Sequence, residues 1–249
     1  MNFNSEFPFS LLSEGAQELY LDTEIQRISM PTPLEFCRDY VSNNRPVIIT
    51  DCCDSWPASF LWTNTYLRRT MADRLVSVAV TPNGRGDAVV GDQFVLPEER
   101  KMPFCQFMDI LEDIQCGSPE NCGKIDGKND ESVYYIQKQN GYFPVEYSPL
   151  VRDVPEEISW ASEAFGTKSD AVNFWMGDDS AVSSMHQDPY ENIYAVLAGS
   201  KQFTLIPPTD LPWLYRQNFR KAQYRYSKSS QTFDIIPSDP PELVEWLPV

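Results

Sequence analysis

The run Ser183-Ser-Met-His186-Gln-Asp188-Pro-Tyr-Glu-Asn192 carries the one histidine of the sequence, two residues before a carboxylate. On an extended strand, residues i and i+2 project to the same face, so imidazole and carboxylate stand side by side. Imidazole plus carboxylate on a rigid β scaffold are two members of a 2-His-1-carboxylate set. That set holds Fe(II) from one side and leaves positions open for O2 and a co-substrate. Lys201 follows 201 − 186 = 15 residues later, just after the turn Ala198-Gly-Ser200. A strand opening at Lys201 could return to the same interior. A buried ammonium is costly unless an anion meets it, and a dicarboxylic acid chelating the metal would be such an anion. Taken alone, a His-x-Asp triplet is common and a lysine after a turn is ordinarily solvated. The signal is their occurrence together on successive strand-like runs.

The rest of the chain must position these groups. Ser5–Leu21 has the spacing of a short amphipathic helix, Pro31-Thr-Pro33 stops it, and Leu34–Tyr40 offers another helical turn or two. Val47–Thr50 is a β-branched run that reads as a buried strand. Trp62–Arg74 has helical spacing, with Thr63 or Asn64 as its cap. Val76–Thr81 alternates as a strand and ends at the turn signal Pro82-Asn-Gly84, and Phe94–Leu96 is a further strand candidate. Pro103–Glu112 reads as a helix with Phe104, Phe107, Met108 and Leu111 on one side. Residues 115–131 are polar and rich in Gly, Asn, Asp and Ser, as in an exposed loop. The second half changes character. Val133–Gln139, Ala171–Met176, Ala181–His186, Asn192–Leu197 and Lys201–Ile206 are short strand-like runs separated by turns, the pattern of an antiparallel barrel or jelly roll. The expected fold class is α+β, mainly β. Residues 1–130 form an N-terminal extension that packs on a barrel in 131–249, as one structural unit.

Composition narrows the function. Lys and Arg total 20 against 36 Asp and Glu, a formal charge of −16. That balance argues against binding a nucleic-acid backbone or an anionic membrane surface and suits a basic peptide partner. One histidine excludes Cys2His2 fingers and HExxH proteases. Met1–Ser10 lacks the basic and apolar regions of a secretory signal, and apolar runs such as Val47–Ile49 are far too short to span a bilayer. The six cysteines show no CxxC spacing and read as reduced thiols of an intracellular protein, with a Cys116–Cys122 bridge as the alternative. A serine or thiol nucleophile would have His186 as its one possible base, and no Asp is evident to orient it, so hydrolase chemistry is set aside.

The longer pattern resembles a known family. Asn173-Phe-Trp-Met-Gly-Asp178, His186-Gln-Asp-Pro-Tyr-Glu-Asn-Ile-Tyr194, Gly199-Ser-Lys-Gln-Phe203 and Pro207-Pro208 are similar to the cupin-like JmjC-domain oxygenases. Ser77-Val-Ala-Val-Thr-Pro-Asn-Gly84, Gly91-Asp-Gln-Phe94, Pro97-Glu-Glu-Arg100, Tyr135-Ile-Gln-Lys-Gln139 and Trp160-Ala-Ser-Glu-Ala164 resemble that family's peptidase and (3S)-lysyl hydroxylase branch. The likeness runs from about Pro31 onward.

The resemblance implies a double-stranded β-helix with an N-terminal helix-and-strand extension. It implies Fe(II)- and 2-oxoglutarate-dependent (3S)-lysyl hydroxylation of a protein with O2. Substrates would be GTP-binding proteins of the developmentally regulated type, and a peptidase activity is implied beside the hydroxylase. It also implies a cytoplasmic location with the nucleus as a second, and a homodimer for the full-length form. By position, His186 and Asp188 match two metal ligands. Lys201 matches the lysine that pairs with the distal carboxylate of 2-oxoglutarate. Ser183 falls where relatives carry a threonine hydroxyl for that carboxylate, and Tyr135 and Asn192 match further positions of the co-substrate pocket. The family's third ligand is a second histidine on a later strand. Here 249 − 186 = 63 residues follow His186 and none is a histidine. The expectation is a barrel missing its last strands. The alternative to an enzyme is a catalytically inactive short form that binds partners without turnover.

Overall fold

The structure is a computed structural model and describes residues 9–19, 24–116 and 132–248. Helix α1 (Phe9–Leu19) precedes β1 (Gln26–Ile28), which pairs in parallel with β2 (Val47–Ile49). Between them Thr32 caps α2 (Pro33–Glu35). The Thr32 hydroxyl accepts the Glu35 amide, and the Glu35 carboxylate accepts the Thr32 amide at 2.9 Å. This reciprocal arrangement satisfies two otherwise unpaired N–H groups. The coil then runs on as a π-helical turn, Phe36–Val41, which buries Phe36 edge-on against Trp160 and Phe165. After α3 (Pro57–Leu61) comes α4 (Asn64–Met71), and Thr63 is its cap: the hydroxyl accepts from Tyr66 N.

Strands β3 (Leu75–Thr81), β4 (Arg85–Gly86), β5 (Ala88–Val90), β6 (Gln93–Leu96) and β7 (Glu98–Pro103) lead into α5 (Phe104–Cys116). Strand β8 (Val133–Tyr135), α6 (Phe143–Glu146) and α7 (Ser159–Phe165) follow. The chain then runs through β9 (Val182–Ser183) to β10 (Gln217–Ser227), β11 (Thr232–Pro237) and β12 (Leu243–Trp246).

The core lies around β3, which pairs antiparallel with β7 on one side and β8 on the other. Val76, Val78 and Val80 alternate along it and are fully buried. They meet the face of α5 that carries Phe104, Phe107, Met108 and Leu111, together with Tyr134, Phe143, Tyr147 and Leu150. Each such side chain contributes about 1.5–3 kcal/mol. The opposite face of β3 is closed by a polar contact. The Glu146 carboxylate accepts from Ser77 N and Oγ, both at 2.8 Å, and from Lys101 Nζ at 2.5 Å.

A second sheet has the order β11-β10-β6-β5, with β12 also on β10. Of its strands only Phe94–Leu96 is legible beforehand. β10 reads Gln-Asn-Phe-Arg-Lys-Ala-Gln-Tyr-Arg-Tyr-Ser: Phe219, Ala222 and Tyr224 are buried, and Arg or Gln occupies the outward places between them. Half-solvated strands of this kind dilute the apolar signal. Charge likewise masks β7, where Pro103 is not the first residue of the helix. It ends the strand, paired with Leu75 at the sheet margin.

The architecture is α+β and mainly β. The strand-like runs after residue 170 pair less than their sequences suggest. Val182–Ser183 forms β9, and Met176 forms a single bridge with Ile136. Among the described residues no segment pairs with 192–206, and Ile193, Val196, Phe203 and Leu205 remain exposed there. A strand needs a neighbour for its N–H and C=O groups, and pattern alone does not provide one.

Candidate active site

Two short strands set the site. β4 and β9 lie in parallel, with Arg85 opposite Val182 and Gly86 opposite Ser183. The approach depends on Gly84, at φ +76°, where a Cβ would fall 1.8 Å from the Ser180 carbonyl oxygen. No side chain fits there, and glycine adopts that φ without cost.

The strand pair delivers Ser184 to the centre of a small network. Its hydroxyl donates to the Asp87 carbonyl and accepts from Trp246 Nε1 at 3.2 Å. Its carbonyl lies 2.8 Å from His186 Nδ1. A carbonyl can only accept, so Nδ1 donates to it. The other ring nitrogen, Nε2, faces Asp188 Oδ2 at 3.5 Å. The Trp246 ring stacks on the imidazole, with centroids 6.1 Å apart and planes 13° apart. His186 meets the carbonyl of Ser184 rather than its hydroxyl, so the two do not form a nucleophile–base pair.

His186, Asp188 and Ser183 line one cavity of about 600 Å³, with Asp87, Trp175 and Lys138 on its walls. Lys138 is committed to the Glu99 carboxylate at 2.8 and 2.9 Å. Lys201 and Tyr135 form a neighbouring group. Lys201 Nζ sits 5.5 Å from the Tyr135 ring centroid, and that ring packs on Trp175 at 5.9 Å. Tyr135 is held above the usual phenol range, first by burial and then by Tyr194. Gly177 makes room for this ring, since a Cβ there would lie 2.5 Å from Tyr135 Cδ2. Asn192 is exposed and does not line this cavity.

A family model described as "Cupin-like domain" matches residues 33–246. The chain is 40% identical over 255 residues to JmjC domain-containing protein E of Dictyostelium discoideum, across 97% of this chain and 70% of that protein. It is 39% identical over 245 residues to the human bifunctional peptidase and (3S)-lysyl hydroxylase JMJD7, across 98% and 72%. It is 38% identical over 232 residues to lysine-specific demethylase JMJ32 of Arabidopsis thaliana, across 92% and 64%. The chain belongs to the cupin-like JmjC family. JmjC proteins are 2-oxoglutarate dioxygenases built on a jelly-roll-like core, and they generally use Fe(II).

The donors present in this JmjC chain fit one iron as a pair of adjacent ligands. A protonated Nδ1 held by a backbone carbonyl is the usual second contact of a metal-bound histidine. His186 Nε2 and an Asp188 oxygen, 3.5 Å apart, are the two atoms that would hold the ion. Among the described residues no third His, Cys, Asp or Glu completes a cluster with them. Four cysteines, Cys37, Cys52, Cys53 and Cys105, are free thiols, and burial beside Cys52 pushes Cys53 up to about 12. The Cys116–Cys122 alternative lies outside the described residues. Sequence reasoning missed Trp246 and Asp87, because their contacts with Ser184 span 62 and 97 residues.

Proposed function

We propose that this JmjC chain is a protein (3S)-lysyl hydroxylase that uses Fe(II), 2-oxoglutarate and O2. The observation that carries the reading is the His186–Asp188 pair, 3.5 Å apart on the lining of a cavity of about 600 Å³. The human relative, a bifunctional peptidase and (3S)-lysyl hydroxylase, supports it. In this reading His186 Nε2 and an Asp188 oxygen hold the iron. When bound, iron supplies the redox chemistry that joins oxidative decarboxylation of 2-oxoglutarate, to succinate and CO2, with insertion of one oxygen atom of O2 into a substrate C–H bond.

The chain's own residues do the rest. The Lys201 ammonium takes the distal carboxylate of the co-substrate, with the Ser183 hydroxyl, Tyr135 and Asn192 as further contacts. Burial keeps the Tyr135 phenol protonated, so it can donate a hydrogen bond to an anion. Trp175 and Trp246 exclude water from the cavity wall. The substrate is a protein lysine, in GTP-binding proteins of the developmentally regulated type, and the charge of −16 attracts the basic segments around it.

The test is to supply Fe(II), ascorbate and 2-oxoglutarate and follow succinate by NMR, with lysine peptides followed by mass spectrometry. Succinate and a gain of one oxygen on lysine are expected. Succinate no higher than in the iron-free control overturns the reading. A second reading rests on the absence of a third ligand among the described residues: the chain binds a lysine-bearing partner without turnover. Peptide binding with no succinate supports that reading instead.

A further inference from the structure

A second cavity, of about 470 Å³, lies between α4 and the 3-10 coil Ser148–Asp153 and shares no lining residue with the one that holds His186. Its walls are Tyr66, Arg69, Thr70, Ser148, Pro149 and Arg152. Two guanidinium groups and two aliphatic hydroxyls line it, and among the described residues no carboxylate does. In a chain of net charge −16 this is a local reversal of sign.

Contacts around the cavity place these groups. The Tyr66 hydroxyl donates to Asp153 Oδ2 at 2.7 Å, and Trp62 Nε1 donates to the same oxygen at 3.0 Å. Arg69 lies over the Tyr66 ring, its Cζ 5.8 Å from the centroid. Arg152 approaches the other Asp153 oxygen, with Nε 3.8 Å from Oδ1. The Tyr66–Asp153 unit thus carries a guanidinium at each end. Behind it, Arg74 Nη2 donates to Ser148 Oγ at 2.7 Å, so Ser148 keeps its own O–H to donate. The neighbouring Arg68 is a contrast: it is bound to Asp109 and Glu112 at 2.7 and 2.6 Å, whereas among the described residues Arg69 pairs with no carboxylate. Three guanidinium charges against the Asp153 carboxylate leave 3 − 1 = 2 positive charges in this group. A phosphate monoester carries about −1.5 to −2 at pH 7 and offers three acceptor oxygens.

We infer that this cavity binds a phosphate dianion, free or borne as phosphoserine on a protein. Arg69 and Arg152 supply planar forks of donors that match phosphate oxygens. The Ser148 and Thr70 hydroxyls supply further donors from the other walls. Arg69, Ser148 and Arg152 are exposed, so a phosphorylated side chain can reach them with no change in the core.

The test is an NMR titration of the full chain in metal-free buffer, following the amides of Thr70 and Ser148. The probes are N-acetyl-phosphoserine methylamide, N-acetyl-serine methylamide and inorganic phosphate. The phosphoserine amide is expected to shift both signals and the serine amide neither. Arg69→Gln and Arg152→Gln, at exposed positions, should each weaken binding tenfold or more. Arg220→Gln on β10 and Lys201→Ala should leave it within twofold. Tighter binding of the phosphoserine amide than of phosphate supports the inference with a phosphorylated protein as the source; equal binding supports it with free phosphate. Absence of binding overturns it, as does a serine amide that binds equally well. An equal loss in Arg220→Gln overturns it by showing diffuse attraction to charge. A tenfold loss in Lys201→Ala overturns it by placing the anion in the co-substrate pocket. None of these readouts depends on turnover.

Discussion

The Nε2 atom of His186 faces Oδ2 of Asp188 at 3.5 Å, while Nδ1 donates to the Ser184 carbonyl. In the proposed role these two facing atoms hold the metal. His186→Ala and Asp188→Ala should each lower Mn(II) affinity by at least a hundredfold, measured by electron paramagnetic resonance titration. Retained stoichiometric binding in either variant would remove the metal assignment.

The indole of Trp246 supports the imidazole by stacking on it and by donating to the Ser184 hydroxyl. Contacts behind a ligand commonly tune metal affinity by about 10–100-fold. Trp246→Phe keeps a stacked ring and loses the donor, so a loss of about tenfold in Mn(II) affinity is expected, with a larger loss in Trp246→Ala. Equal losses in the two variants would show that the N–H has no part in orienting His186.

Lys201 stands over Tyr135, one aromatic ring away from the cavity wall at Trp175. In the proposed role its ammonium pairs with the distal carboxylate of 2-oxoglutarate. Lys201→Ala should raise the 2-oxoglutarate concentration for half-maximal turnover by about a hundredfold, as for loss of a charge-assisted contact of about 1.5–3 kcal/mol. The Fe(II) requirement should move by less than threefold. Parallel shifts in both would argue against the anchor.

Glu146 predicts a pH dependence of stability. Burial alone would raise its carboxyl, but Lys101 and the two Ser77 donors outweigh burial and hold it below the usual carboxylate range. A folded-state value below the unfolded one means the stabilisation is fully present above the ordinary Glu range. It is lost as pH falls through the depressed folded value. Chemical denaturation of Glu146→Gln should show a loss of about 1–3 kcal/mol at pH 7, shrinking as pH falls below 4. A pH-independent difference would assign the loss to packing rather than charge.

Much of this was legible from neighbouring residues. The two-residue spacing of His186 and Asp188, the Thr63 cap, the valines of β3 and the apolar side of α5 all rest on contacts within a few positions. Strand and helix periods encode the β3 and α5 contacts directly, whereas His186 and Asp188 lie past the two-residue β9 and outside any strand, so their proximity is one of short separation only. The resemblance carried the family, because many short motifs agreed at once.

Tertiary structure decided the rest. The pairing of β12 with β10 joins Trp246 to Gln217, that of β10 with β6 joins Arg220 to Gln93, and that of β9 with β4 joins Ser183 to Gly86. These pairings bring Trp246 and Asp87 to Ser184, and so settle which way the imidazole points. No local period encodes partners so far apart in the chain. They are selected by burial and backbone hydrogen bonding over the whole sheet, against the entropy of closing long loops. The sequence by itself determined which side chains could hold a metal; only the fold determined that His186 Nε2 and Asp188 Oδ2 face each other at 3.5 Å.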